Sequence, residues 1–262
     1  MIVKNLIRLM AWSSLAYLVL PLVVIIGASL TTTSYLAFPP EGLTLRWYER
    51  LLDDPTYVAS FATSVLLAGV ATALAIVLAV PAALAFARYD FRGKETLSAI
   101  LMSPLVLPHI VLGAALLQFG GYFGLTRSFL ALLIGHTVII TPFVLRSVLT
   151  LMTPEQRSLE EASADLGGGP WQTFFLVVLP QIRPGIVTGA IFAFISSFIN
   201  VELSIFNTTA ELNTIPVKLF NYVQYTIDPT IAAVSAATIL AAVVAIVILD
   251  LTVGLDMLAA PK

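Results

Sequence analysis

An all-α protein that crosses a lipid bilayer six times, with both termini cytoplasmic, is the expected fold class, and three observations carry it. The chain of 262 residues is 59% hydrophobic and only 11% charged, with a mean hydropathy of +0.98, a balance that places most of it in lipid. Six apolar runs are each long enough for a hydrocarbon core, which takes roughly 20 helical residues. Lys and Arg are unevenly shared between the connections. Backbone polar groups in lipid have to be paired within their own segment, so long continuous runs are helices, whereas barrel strands would be short and alternating.

The runs cover residues 9–30, 61–87, 99–119, 129–149, 186–206 and 231–253 of one transmembrane domain, 1–262. The first follows Lys4 and Arg8 and is longer than the apolar part of a secretory signal, so an uncleaved anchor helix is expected. Ala71, Ala75 and Ala79 in the second run, and Ala232, Ala236 and Ala241 in the sixth, suit close helix approach. Pro104 and Pro108 predict a kink in the third. Between the runs, 31–60 carries Pro39, Pro40, Trp47 and Tyr48 and reads as an interfacial segment with aromatic residues at the membrane surface. Arg88 to Ser98 reads as a short basic turn and Gly120 to Ser128 as a tight connection. Asn207 to Thr230 has room for a short helix around Val217 to Tyr225.

Charge sets the orientation. Lys4, Arg8, Arg88, Arg92, Lys94, Arg146, Arg157, Arg183 and Lys262 share one side of a six-span topology, against Arg46, Arg50, Arg127 and Lys218. The richer side is cytoplasmic by the positive-inside rule. Cysteine is absent and the net charge is −2, which excludes disulfides and thiolate chemistry and leaves no basic tract for nucleic acid. There is no Gly-rich phosphate loop, His-Glu-x-x-His or Gly-x-Ser-x-Gly, and two histidines in separate runs make no metal site. No catalytic residue is expected.

The longest stretch that is not continuously apolar, 150–185, faces the cytoplasm in this topology. Thr153 as N-cap, Pro154 at N1 and Gln156 at N3, reaching back to the cap, open a short helix. Leu159, Ala162 and Leu166 recur on one narrow face, with Ser158, Glu161 and Asp165 on another. Gly167, Gly168 and Gly169 stop the helix. Pro170 opens a second one, with Trp171, Phe174, Phe175 and Val178 on one face, broken by Leu179-Pro180 and Pro184-Gly185.

The pattern Glu161-Ala162-Ser163, Gly167, Val177, Leu179-Pro180 resembles the E-A-A loop of ABC importer permeases, with Ser163 for the second Ala and Val177 for Ile. Arg88-Tyr-Asp-Phe-Arg-Gly-Lys and Asn213-Thr-Ile-Pro-Val-Lys-Leu-Phe are similar to the second permease of spermidine/putrescine-type importers. The resemblance implies a type I ABC importer permease fold in a bacterial inner membrane. It also implies four kinds of partner: an ABC ATPase dimer that binds ATP and Mg, a homologous second permease, an extracytoplasmic solute-binding protein, and lipid. Leu159, Glu160, Glu161, Ala162, Leu166, Gly167, Leu179 and Pro180 would couple to the ATPase, with Glu160 and Glu161 supplying charge-assisted contacts. The chain itself is expected to hold no cofactor. The solute implied is a small polar or cationic compound such as a polyamine, although the acidic pair frequent near the end of the fifth span is replaced here by Ile199-Asn200.

Polar groups within the runs are the candidates for a solute path. Glu202 sits well inside the fifth run beside Asn200, and an ionisable group at that depth is costly unless it faces a cavity or a partner. His109, after two prolines, and Gln118 are further candidates, each equally consistent with helix packing, and His136 reads as structural. A stand-alone secondary transporter or channel is the competing reading. It predicts internal repeats, and none is evident.

Overall fold

In the computed structural model, residues 2–253 are described, with side chains from 4 to 244; Lys262 lies outside that range. Eleven α-helices are present among the described residues: α1 (Ile2–Ser29), α2 (Arg46–Asp53), α3 (Pro55–Arg88), α4 (Lys94–Met102), α5 (His109–Tyr122), α6 (Phe129–Leu149), α7 (Pro154–Asp165), α8 (Pro170–Thr173), α9 (Leu179–Phe198), α10 (Ile215–Tyr225) and α11 (Pro229–Val253). Four of the long helical stretches are apolar enough to cross a membrane, or five if the bent α4–α5 pair is one span. The chain is a multi-pass membrane protein. It clusters into two compact units, one comprising residues up to Ala59 with those from Lys218 onward, the other Ser60–Val217.

In the first unit, α11 packs along α1 and α2. Trp47 was expected at the membrane surface, but its ring is buried and its Nε1–H donates to the Thr31 carbonyl at 2.8 Å. Tyr48 meets Ser29 Oγ at 2.6 Å. The aromatic pair of α2 therefore ties down Ser29 at the end of α1 and Thr31 just beyond it. Arg46 stacks on the Trp47 ring at 4.5 Å. The expected helix near Val217 is α10. Its Tyr222 donates to Asp228 Oδ2 at 2.9 Å, and Asp228 faces Arg50 at 3.8 Å. Burial pulls the Lys218 amine below its ordinary value, partly offset by Asp54. Of the alanines expected at close approaches, Ala232 and Ala236 are buried whereas Ala241 is exposed.

In the second unit the core lies between α3, α6 and α9. Ala71, Ala75, Ala79 and Ala83 form a fully buried stripe on α3 with Ile139, Val144, Leu145, Val148 and Ile182. Small residues let helix backbones approach where lipid supplies no hydrophobic drive. The α6–α9 contact brings backbones together: a Cβ on Gly185 would lie 2.8 Å from the Ser147 carbonyl oxygen, and one on Gly189 2.7 Å from the Val144 Cα.

Three expected elements differ. The third run is not one helix over 99–119. A 3₁₀ turn at Ser103–Leu105 and an extended Pro108 (φ −61°, ψ 124°) separate α4 from α5, which meet at 105°. Proline lacks an N–H and clashes with the preceding turn, so two of them four residues apart break the helix rather than bend it. The basic turn after the second run is correspondingly short, since α4 starts at Lys94.

The fifth run is displaced toward the N-terminus. Leu179-Pro180 and Pro184-Gly185 do not end the helix opened by Pro170. It continues through a π turn, Phe174–Val178, into α9 and stops at Phe198 rather than 206. Pro180 follows directly on the π turn, the kind of local irregularity with which a continuous helix accommodates a proline.

Candidate functional site: the exposed face of α7 and a buried polar chain

Helix α7 starts as its sequence specifies. Thr153 Oγ1 accepts from the Gln156 N–H at 3.4 Å. The reach back to the cap, however, is not made by Gln156. The Thr153 N–H donates instead to the Leu151 carbonyl at 3.0 Å, and the Glu155 carboxylate is lowered from its ordinary value by its own backbone N–H and by the Thr153 side chain. Gln156 points inward instead, is 3% exposed, and accepts from Arg88 Nη2 at 3.2 Å.

The far end of α7 is a Schellman motif. Gly168 N–H donates to the Ser163 carbonyl and Gly167 N–H to the Ala164 carbonyl, both at 2.9 Å, with Gly167 at φ +86°. That geometry requires a residue at ease in the left-handed region.

The structure divides the eight predicted coupling residues into two groups. Leu159, Glu161, Ala162, Leu166 and Gly167 are exposed, with Leu166 at 90%, and Trp171, Phe175 and Leu176 add an exposed apolar patch on the following turns. Glu161 makes only a surface pair with Arg157 at 3.2 Å. Glu160 points the other way and is engaged within the chain: Arg88 Nε donates to its Oε2 at 3.0 Å and Arg88 Nη2 to its Oε1. Glu160, expected to contact a partner, is thus paired with Arg88 of α3, whereas its neighbour Glu161 pairs only within α7. Leu179 packs on the core and Pro180, though exposed, lies in the first turn of α9.

The path candidates separate in the same way. Asn200 and Glu202 lie beyond the end of α9 at Phe198. Glu202 is exposed in a turn, and Gln118 is exposed on α5. Their carbonyl neighbours matter more than the carboxylate: Gly113 on α5 is so close to the turn that a Cβ there would meet the Leu203 and Glu202 carbonyl oxygens at 2.8 and 2.9 Å.

His109 and Asn200 are brought together, and the hydrogen-bond directions around them are determined. Asn200 Oδ1 accepts from the Leu203 N–H at 2.9 Å, which turns its amide nitrogen to His109 Nδ1 at 3.0 Å. His109 Nδ1 is therefore the acceptor. The Asn200 carbonyl accepts from Ser204 Oγ at 3.1 Å, so Ser204 in turn accepts from His136 Nε2, 2.9 Å away. His136 Nδ1 is left as acceptor for Ser197 Oγ at 2.7 Å. A single chain of hydrogen bonds thus ties α5, α6, the end of α9 and the following turn. Among the described residues, no three His, Asp or Glu side chains converge as a metal site.

Residues 75–255 match the family described as binding-protein-dependent transport system inner membrane component. The chain belongs to this family. The permease is 27% identical over 236 residues, 90% of its length and 91% of the relative's, to the spermidine/putrescine transport system permease protein PotC of Haemophilus influenzae. It is 30% identical over 211 residues, 77% and 74% of the two chains, to the putrescine transport system permease protein PotI of Escherichia coli. The permease fold is also that of a chain in a bacterial ABC transporter involved in the import of the acidic polysaccharide alginate, with a TM-score of 0.69, 15% identity and 99% of both chains covered.

Two features of the permease site were missed in the sequence, and a signal was present for the first of them. Gly185, Gly189, Ala193 and Ser197 recur every four residues, the small-residue period of a close helix contact, and all four are buried. His136 and Ser197 carried no local pattern, because they meet only when α6 and α9 pack. Replacing His136 by Leu removes the central member and strands the Ser197 hydroxyl. A loss of about 1–3 kcal/mol is expected, read as a lowered thermal unfolding midpoint in detergent. Adding Ser197→Ala to His136→Leu is expected to cost less than the sum of the two single changes.

Proposed function

We propose that this chain is one of two permease subunits of an ATP-driven, binding-protein-dependent importer in a bacterial inner membrane. It forms half of the solute path and is worked by a separate ATPase through α7. The observation that carries this reading is α7 itself. A helix capped at both ends presents Leu159, Ala162, Leu166 and the unpaired side of Glu161 away from the chain, beside exposed Trp171 and Phe175, in a protein of a transport permease family. A small apolar face rimmed by charge suits a groove on a rigid partner.

ATP and Mg would bind to that partner, and closure of the ATPase dimer would move α7 as a rigid body. The names of the relatives support a polyamine as solute, delivered by an extracytoplasmic binding protein. His109 and Asn200 are the path candidates that the fold brings together. In this reading all six runs cross the membrane and both termini are cytoplasmic.

Two measurements test it. The tagged chain is expected to bring down an ABC ATPase and a homologous permease, whereas a stand-alone carrier would bring down neither. Because the chain has no cysteine, Ser158→Cys reports one position only, and an impermeant thiol reagent should label it in inside-out vesicles but not in intact cells. Labelling from outside, or purification without an ATPase, overturns the proposal.

A further inference from the structure

The mechanical link between α7 and the membrane-embedded core is the least expected feature of this chain. Helix α7 makes extensive contact only with α8 and the π turn that follow it in sequence, among the described residues. Its one strong tie to another part of the unit is Arg88, the last residue of α3. Arg88 spreads its guanidinium over three residues of the α7 region: both carboxylate oxygens of Glu160, Gln156 Oε1 at 3.2 Å and, more weakly, Met152 Sδ at 3.8 Å. The side chains of Arg88 and Glu160 are only 14% and 19% exposed, and Gln156 beneath them is buried with its Nε2 unpartnered.

A surface ion pair would contribute little. A two-pronged guanidinium–carboxylate pair that is largely shielded from water is different, because both bonds are charge-assisted and the planar fork admits one orientation. The other end of the lever is equally well held. Arg88 follows Ala75, Ala79, Ala83 and Phe86, which are buried in the core between α3, α6 and α9. The far side of α7, with Leu159 and Glu161, remains uncovered.

We infer that Arg88 is a positioning residue that makes the cytoplasmic end of α3 move together with α7, so that displacement of α7 enters the core through this pair as well as through the chain leading into α9. The inference rests on the proposed coupling role of α7 and adds a second attachment point to it. It also accounts for Glu160 facing inward while its neighbour Glu161 faces out.

The test uses the complex recovered with the permease. Spin labels at Ser158→Cys on α7 and Leu78→Cys on α3 report their separation by double electron–electron resonance, with the ATPase either nucleotide-free or trapped with ADP and vanadate. With Arg88 intact, the distance is expected to stay constant within about 2 Å, the scale of small helix shifts. With Arg88→Gln it is expected to change by several ångströms between the two states, and the exchange Arg88→Glu with Glu160→Arg is expected to restore constancy. Should Arg88→Gln not accumulate, Glu160→Gln removes the same pair from the other side. A distance that changes with Arg88 intact, or one equally constant in Arg88→Gln and Glu160→Gln, overturns the inference. Failure of the underlying coupling reading would look different, since no ATPase would then accompany the permease.

Discussion

Glu161→Lys is expected to abolish productive transport while leaving the protein folded and in the membrane. Glu161 is two-thirds exposed and its one ion pair, with Arg157 at 3.2 Å, joins two surface side chains on the same helix. Such pairs are worth only about 0.3–0.5 kcal/mol, so reversal of the charge costs the isolated chain little. At a docking surface the same change puts a cation where a carboxylate was received. A lost interfacial charge contact costs about 2–5 kcal/mol, and each 1.4 kcal/mol is tenfold in affinity.

Uptake driven by the ATPase should therefore fall at least about tenfold at normal membrane levels of the permease. Gly167→Asp is expected to act alike for another reason. A side chain at Gly167 would meet no atom within 4 Å, so the strain comes only from φ +86°. That costs on the order of 1 kcal/mol, and the added carboxylate also opposes the negative end of the α7 dipole. Gly167→Asn, uncharged and tolerant of the left-handed region, should retain most uptake. Normal uptake by both Glu161→Lys and Gly167→Asp, with normal ATPase recovery, would remove α7 from the coupling role.

The largest effect on the fold itself is expected from Gly189→Leu. The first atom of any side chain at Gly189 would lie 2.7 Å from Val144 Cα and 3.3 Å from the Phe143 carbonyl oxygen. These are backbone atoms of α6, which cannot rotate away as a flexible side chain can. The helices have to separate, and separation unpacks Val144, Val148 and Ile182, all fully buried in the same core. Overpacking of a tight core costs about 1–3 kcal/mol and more where nothing can yield.

The separation also pulls Ser197 from His136 Nδ1. Gly189→Leu should therefore fail to accumulate in the membrane, or unfold at a much lower temperature in detergent. Gly69→Leu is the control: no atom lies within 4 Å of a Cβ at Gly69, and the change should be tolerated. Equal accumulation of Gly189→Leu and the parent protein would contradict the packing described for α6 and α9.

The parts of the molecule legible beforehand are those governed by local chemistry. Helix α6 runs from Phe129 to Leu149 as its apolar run does, and Thr153, Pro154 and Gly167 bound α7 as capping rules require. Each depends on neighbours within a few residues, and the cost of unpaired backbone in lipid does the rest.

The misjudged parts depend on partners distant in sequence. Glu160 and Glu161 are identical in type and adjacent, yet one meets Arg88 across 72 residues and the other does not. Trp47 was read only as an interfacial ring, and the Thr31 carbonyl that takes its Nε1–H lies 16 residues back. Glu202 was placed inside the fifth run because hydrophobicity continues past Phe198, although the helix stops there.

The sequence by itself determined that the chain is helical, lives in lipid, and carries a capped, glycine-ended helix outside the apolar runs. Apolar length and cap chemistry are enough for that. Only the tertiary structure decided that of the adjacent Glu160 and Glu161 it is Glu161 that faces out, and that Asn200, Ser204, His136 and Ser197 form one chain with His109. Hydrogen-bond direction and charge pairing are settled by which helices touch. That in turn follows from backbone approach at Gly185 and Gly189, a property of two helices and not of either alone.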